Sequence, residues 1–323
     1  MLELLRRGEP VTACRQKSSD ISQVKQLFAF YTADAEQLFL KIKWVEVDIL
    51  DLFSIEEALE GVSTVYHCAG LVSFHKKDRR RLTAINEKGT ANVVNACLHK
   101  KNIALCHVSS IATINNSDYL QDLNEDVFWK TSGRENDYAI SKYNGEREVW
   151  RGMEEGLNAL IVNPGVILSP GFWDQSSSRL FNACYKGNRF YTRGVSAYIA
   201  APDAAKAMVE LTSRRLFTNR YILIENNYSF YEILSRIHQG LQKPAPSLQV
   251  PPLLLRLAIA ASGIGAFFSG RPAQLTKAIM SAAFNQQRFS NKKLREALDY
   301  KFTPVNEAIE AICKYYLSQK SNS

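Results

Sequence analysis

Between residues 11 and 164, short apolar runs alternate with longer amphipathic ones, and that rhythm leaves few folds open. VTACR, WVEVDIL, STVYHCAG, NIALCHVSS and NALIVNPG each read as a strand. Between them, IEEALEGV, RLTAINEKGTANVVNACLHK and YAISKYNGEREVWRGMEEG repeat apolar residues at helical spacing. Strands that are apolar on both faces and joined by helices pair in parallel, with helices covering the sheet on both sides. The expected class is α/β, a doubly wound parallel sheet. A ligand in such a sheet lies beyond the carboxyl ends of the strands. Those ends are Cys14-Arg15, Asp48-Ile49, Ala69-Gly70, Ser109-Ser110 and Asn163-Pro164-Gly165.

The chain opens MLELLRRGEP. Leu2, Leu4 and Leu5 form an apolar stripe, Arg6 and Arg7 suit the negative end of a helix dipole, and Gly8 suits the left-handed position that stops it. After Ser169 the alternation breaks. RYILIE reads as a strand, and YSFYEILSRIHQGL and TPVNEAIEAICKYYLSQK read as helices. SNKKLREALDY opens with Ser290, a candidate N-cap. The expected organisation is a sheet domain over 1–168 and a smaller, mainly helical substrate part over 169–323, with 195–225 returning to the sheet.

The formal net charge is +8. The densest basic run, HKKDRRR, has no interleaved aromatics and reads as a solvated face, not a nucleic-acid site. None of the six cysteines forms a C-x-x-C pair, and the five histidines lack metal-ligand spacing, so no disulfide or metal is expected and the location expected is cytoplasmic. LLLRLAIAASGIGAFF, residues 253–268, contains Arg256 and is shorter than the roughly 20 apolar residues of a spanning helix. It reads as a buried or half-buried helix, with peripheral membrane contact as the alternative.

YAISK places Tyr138 and Lys142 one helical turn apart on one face. A free tyrosine, with a pKa of about 10, exchanges protons poorly at neutral pH. A neighbouring ammonium favours the phenolate and makes the pair a workable general acid or base beside a carbonyl. HVSSIAT puts Ser109 and Ser110 at a strand end, where a hydroxyl can hold a substrate oxygen for that tyrosine.

With VEVDILD, VYHCAGLVSF, INEKGTANVVNACL, HVSSIA, YAISKYNGERE and IVNPGVILSPG together, the chain resembles the extended short-chain dehydrogenases/reductases, the group of NAD-dependent epimerases and dehydratases. Within that group it looks most like dihydroflavonol reductases and 3β-hydroxysteroid dehydrogenases. The resemblance implies a Rossmann-type sheet. It also implies that Tyr138 is the proton donor and acceptor and that Lys142 lowers its pKa and holds the nicotinamide ribose. Ser110, ahead of Ser109, would bind the reacting oxygen, and Asn86 would support the proton relay. Asp48 and Ile49 would contact adenine. Cys68, Ala69 and Gly70 would line the cofactor backbone, Val72 to Phe74 its nicotinamide end, and Pro164, Gly165 and Val166 the nicotinamide ring. Family members often pair as homodimers through the two long helices.

Cofactor choice is read after the strand VTACR. Arg15, with Lys17, Ser18 and Ser19 and no acid before Asp20, suits the 2′-phosphate of NADP, with NAD the alternative. The family pattern sets a first strand and a T-G-x-x-G-x-x-G loop ahead of LELLRRGE, and these 323 residues contain neither. The expectation is an NAD(P)H-dependent oxidoreductase acting on a small, hydrophobic carbonyl or secondary alcohol if an upstream glycine-rich segment exists, and impaired as written. The alternatives are a nucleotide-sugar epimerase or dehydratase, and an inactive remnant or non-enzymatic binding protein.

Overall fold

The computed structural model describes residues 1–114, 122–131, 133, 135–269 and 277–321. The strands are, in chain order, β1 (Val11–Arg15), β2 (Ile42–Glu46), β3 (Thr64–His67), β4 (Ala104–Val108), β5 (Ala159–Pro164), β6 (Val166–Leu168), β7 (Phe190–Tyr191), β8 (Val195–Ala200), β9 (Asn219–Leu223), β10 (Asn226–Ser229) and β11 (Leu248–Gln249). β3, β4, β5 and β9 pair side by side in that order, all in parallel. β1 and β2 form a separate parallel pair, and no ladder joins β1 to β3 among the described residues. The parallel sheet is thus in two pieces.

Alternate residues of β4 and β5 enter opposite cores. Leu105, Ala159 and Ile161 pack with the helices Leu52–Ala58, Gly89–Lys100 and Asp137–Glu154. Cys106, Leu160 and Val162 face the other way, onto the helices Ala201–Ser213 and Lys292–Leu298. Both faces are covered, which is why these strands show no polar alternation. Helices at Ser22–Tyr31 and Ala35–Leu40, unassigned from the sequence, bring Phe28 and Ala35 onto Val11, Ala13 and Ile42.

Of the span 195–225, β9 pairs with β5, whereas β8 lies between β6 and β10 in a three-stranded sheet. The helices Arg179–Tyr185, Phe230–Gly240 and Val305–Ser321 enclose a core of their own. Ser229 and Glu232 form a capping box at the second of these. The helix Lys292–Leu298 takes Asn291 as its N-cap residue, and not Ser290, whose hydroxyl accepts from Lys292 N at 3.3 Å.

The long amphipathic segment after HKKDRRR is not one regular helix. It runs as Arg79–Leu82, then a π turn at Thr83–Lys88, then Gly89–Lys100. The π turn carries Asn86 and brings its carbonyl to the helix Asp137–Glu154. A Cβ at Gly145 would lie 2.4 Å from Asn86 O, and one at Gly152 would lie 2.6 Å from Val94 Cγ1. The two helices therefore meet where only glycine leaves room. Gly145→Ala should destabilise the protein by about 1–3 kcal/mol through overpacking against backbone that cannot yield, read as a lower urea midpoint at unchanged m.

Candidate active site

Asn136 caps the helix Asp137–Glu154 by accepting from Ala139 N at 2.8 Å, which fixes Tyr138 and Lys142 over the carboxyl end of β4. Lys142 is 4% exposed and donates from Nζ to Val108 O at 2.7 Å. Burial pulls its pKa down to about 8, against the opposing pull of Glu146 and Cys68. Tyr138 is half-buried. Burial raises its pKa, and the Ser110 side chain, hydrogen-bonding to it, pulls the other way. This differs from the depressed phenol expected from the Tyr-Lys spacing. One Lys142 N–H is directed at the Val108 carbonyl, and loss of water around the phenol outweighs the Ser110 partner.

Of the two adjacent serines, Ser110 is the one at Tyr138. Its Oγ also accepts from Ala112 N at 3.2 Å. Ser109 stays in the sheet, donating its N–H to Val162 O, with its buried Oγ unpartnered among the described residues. Asn86 is buried, and all of its amide is occupied. Oδ1 accepts from Leu71 N at 2.7 Å, while Nδ2 donates to Leu71 O and to Ser141 Oγ, each at 2.9 Å. In this arrangement it braces the loop after β3. That loop presents Val72 and Phe74 to solvent, and the Phe74 ring stands edge-on to Tyr138 with centroids 5.7 Å apart. Trp129 stacks on Tyr143, the residue after Lys142, at 4.4 Å.

Cys68, Ala69 and Gly70 are exposed at the end of β3. A Cβ at Gly70 would lie 3.3 Å from Asn86 Oδ1 and 3.7 Å from Lys142 Nζ, so glycine keeps this floor open above a buried cation. Such a floor fits a ribose, whose hydroxyls need a close donor, and the residues present fit the nicotinamide-ribose end of a dinucleotide. Burial holds the Met1 amino group, beside Cys68, below its usual pKa. Asp48 forms a turn, accepting from Leu50 N at 2.9 Å, and Ile49 packs on Gly89 with its carbonyl held by Asn92. Pro164 is buried. Gly165 is where the chain passes from β5 to β6, since a Cβ there would lie 2.4 Å from Ala197 O. Val166 pairs with Tyr198 in β8. Arg15 is not a free cation. It meets Glu46 Oε1 at 2.9 Å across the β1–β2 pair and also donates to Gln16 O and Lys17 O.

Reading from the sequence missed the polar cluster beneath the site. Glu146, one turn beyond Lys142, is fully buried. Its Oε1 accepts from Thr113 Oγ1 at 2.6 Å and from Asn163 Nδ2 at 2.5 Å, and Arg220 lies 3.6 Å from Oε2. Asn163 also donates to Ser110 O at 3.1 Å. One carboxylate thereby ties the helix Asp137–Glu154 to the turn that carries Ser110. The available signal was the spacing itself, Tyr138, Lys142 and Glu146 at successive turns of one face.

The family profile described as male sterility protein, an NAD-binding domain, matches residues 4–210. Sterol demethylase protein B from Methylococcus capsulatus is 26% identical over 259 residues, spanning 78% of this chain and 74% of the relative. A putative dihydroflavonol 4-reductase from Synechocystis sp. is 27% identical over 224 residues, 66% of this chain and 63% of that protein. A nucleoside-diphosphate-sugar epimerase from Pseudomonas aeruginosa superposes with a TM-score of 0.76 at 19% identity, covering 98% of this chain and 92% of the other, a likeness of fold. The chain belongs to the NAD-binding male sterility protein family, within the extended short-chain dehydrogenases/reductases.

Proposed function

We propose that the protein interconverts a carbonyl and a secondary alcohol on a small, hydrophobic substrate, using NADP(H). The observation that carries this reading is the Tyr138 phenol at the Ser110 hydroxyl, flanked by Phe74, with Lys142 buried one helical turn away. In the reducing direction Ser110 holds the substrate oxygen, and Tyr138 gives that oxygen the proton from its phenol. A reduced nicotinamide, when bound, supplies the hydride to the carbonyl carbon. Lys142 donates toward the ribose over Gly70. The exposed Val72 and Phe74 exclude water from one side and suit an apolar substrate, and the dihydroflavonol reductase relative supports the reductase class. Six free thiols suit a reducing cytoplasm.

Tyr138→Phe should lower kcat by about 10²–10⁴-fold, the usual worth of a positioned acid, and leave cofactor affinity within twofold of the parent, by roughly the same reasoning. Unchanged turnover on a ketone panel would remove Tyr138 from the proton step and with it this reading.

Lys142 carries its charge below about pH 8 and loses it above. Affinity for NADPH, followed by fluorescence titration, should therefore fall as pH rises through 8, approaching ~tenfold per unit. Lys142→Met should bind weakly at every pH and flatten the profile.

NADP preference rests on Arg15, which Glu46 partly neutralises. Glu46→Gln should raise NADPH affinity about two- to fivefold, the scale of an exposed ion pair, and leave NADH affinity unchanged. An equal gain for both cofactors would show that Arg15 does not read the 2′-phosphate.

A further inference from the structure

Charge is distributed very unevenly along this chain. Residues 175–202 and 233–295 contain 13 Lys and Arg and not one Asp or Glu, which leaves 27 basic against 32 acidic residues everywhere else. The whole positive balance resides in those two stretches, and the fold brings parts of both to one surface.

The short parallel pair β7–β11 makes the junction. Phe190 stands directly opposite Leu248, and Val250 N donates to Tyr191 O, carrying the ladder to the start of the helix Pro252–Ser269. Tyr191 points inward and packs its ring on Tyr231 at 4.8 Å. Phe190 and Leu248 therefore face out, 53% and 48% exposed. Beside them the helix presents Leu253, Leu254 and Leu257, at 67%, 52% and 60%. The side chains of residues 263–268, the rest of the apolar run, lie outside the described residues. Lys186, Arg189, Arg193, Lys243 and Arg256 are exposed on the same segments, and none forms an ion pair among the described residues. No helix among the described residues is long and apolar enough to cross a membrane.

Five bulky apolar side chains in water, on segments whose exposed Lys and Arg form no ion pair among the described residues, describe neither a core nor an ordinary polar surface. We propose that this face docks onto an anionic lipid bilayer. Leu253, Leu254, Leu257, Phe190 and Leu248 enter the headgroup boundary, and the surrounding Lys and Arg meet lipid phosphates. A second copy of the chain suits the face less well, because it would set like charges against each other. An acidic protein would satisfy the cations but does not account for leucines around an exposed helix turn.

The test is flotation of the full chain with phosphatidylcholine vesicles, with and without phosphatidylglycerol. Binding should be about tenfold tighter or more with the anionic lipid and should be released by salt. Leu253→Glu with Leu257→Glu, both at exposed positions, should abolish flotation while circular dichroism and thermal midpoint stay as in the parent. Arg189→Glu with Lys243→Glu should weaken it selectively on anionic vesicles. Absence of flotation with either lipid overturns the proposal. So does a dimer seen by sedimentation that the leucine variant dissociates without any vesicle association, which would assign the face to a second copy.

Discussion

An ammonium taken out of water must be solvated by the protein around it, or it gives up its proton. Lys142 sits on that balance, almost fully buried at the carboxyl end of β4 with its pKa pulled toward neutrality. Three features keep it there. The Val108 carbonyl accepts its hydrogen bond, the Glu146 carboxylate lies one turn below, and the missing side chain at Gly70 leaves the space above open. Remove the sheet and the carbonyl is unanchored. Remove Glu146 and the charge loses its counterweight.

The same carboxylate explains how separate pieces of chain come to share one geometry. Glu146 belongs to the helix that carries Tyr138, Thr113 lies in the turn that Ser110 opens, and Asn163 lies near the end of the next strand. A phenol and a hydroxyl on different elements can be held within bonding range only if their supports are held first. Here the support is buried, charged and multiply bonded, which makes it stiff as well as costly to lose.

The parallel sheet and its helical cover were legible because β4 and β5 are apolar on both faces except at His107 and Asn163, and such runs have only one kind of home. That Tyr138 and Lys142 share a helix face and that Ser109 and Ser110 follow a strand was legible from spacing, whereas the choice of Ser110 came with the family resemblance. Other features were hidden because they depend on long-range partners. Glu46 lies 31 residues from Arg15 and meets it only through strand register. The direction of the Tyr138 shift follows from burial, which spacing alone does not disclose. The helices over 22–40 are short, and what places them is the packing of Phe28 and Ala35 on Val11, Ala13 and Ile42. Gly165, which the resemblance sets at the nicotinamide ring, also has its backbone against Ala197, a neighbour far along the chain that the sequence does not disclose.

The π turn at Thr83–Lys88 bears on what changes the gene can tolerate. A π turn holds one residue more than an α turn, so it is in effect an insertion that the helix never absorbed. Deleting any single residue of that turn would restore regular α geometry with the flanking turns still in phase, but would close the widened turn that carries Asn86. Asn86 would leave Leu71 and Ser141, and its carbonyl would swing away from Gly145. Point changes at the exposed positions of this segment should be common among natural variants, whereas one-codon deletions should be absent.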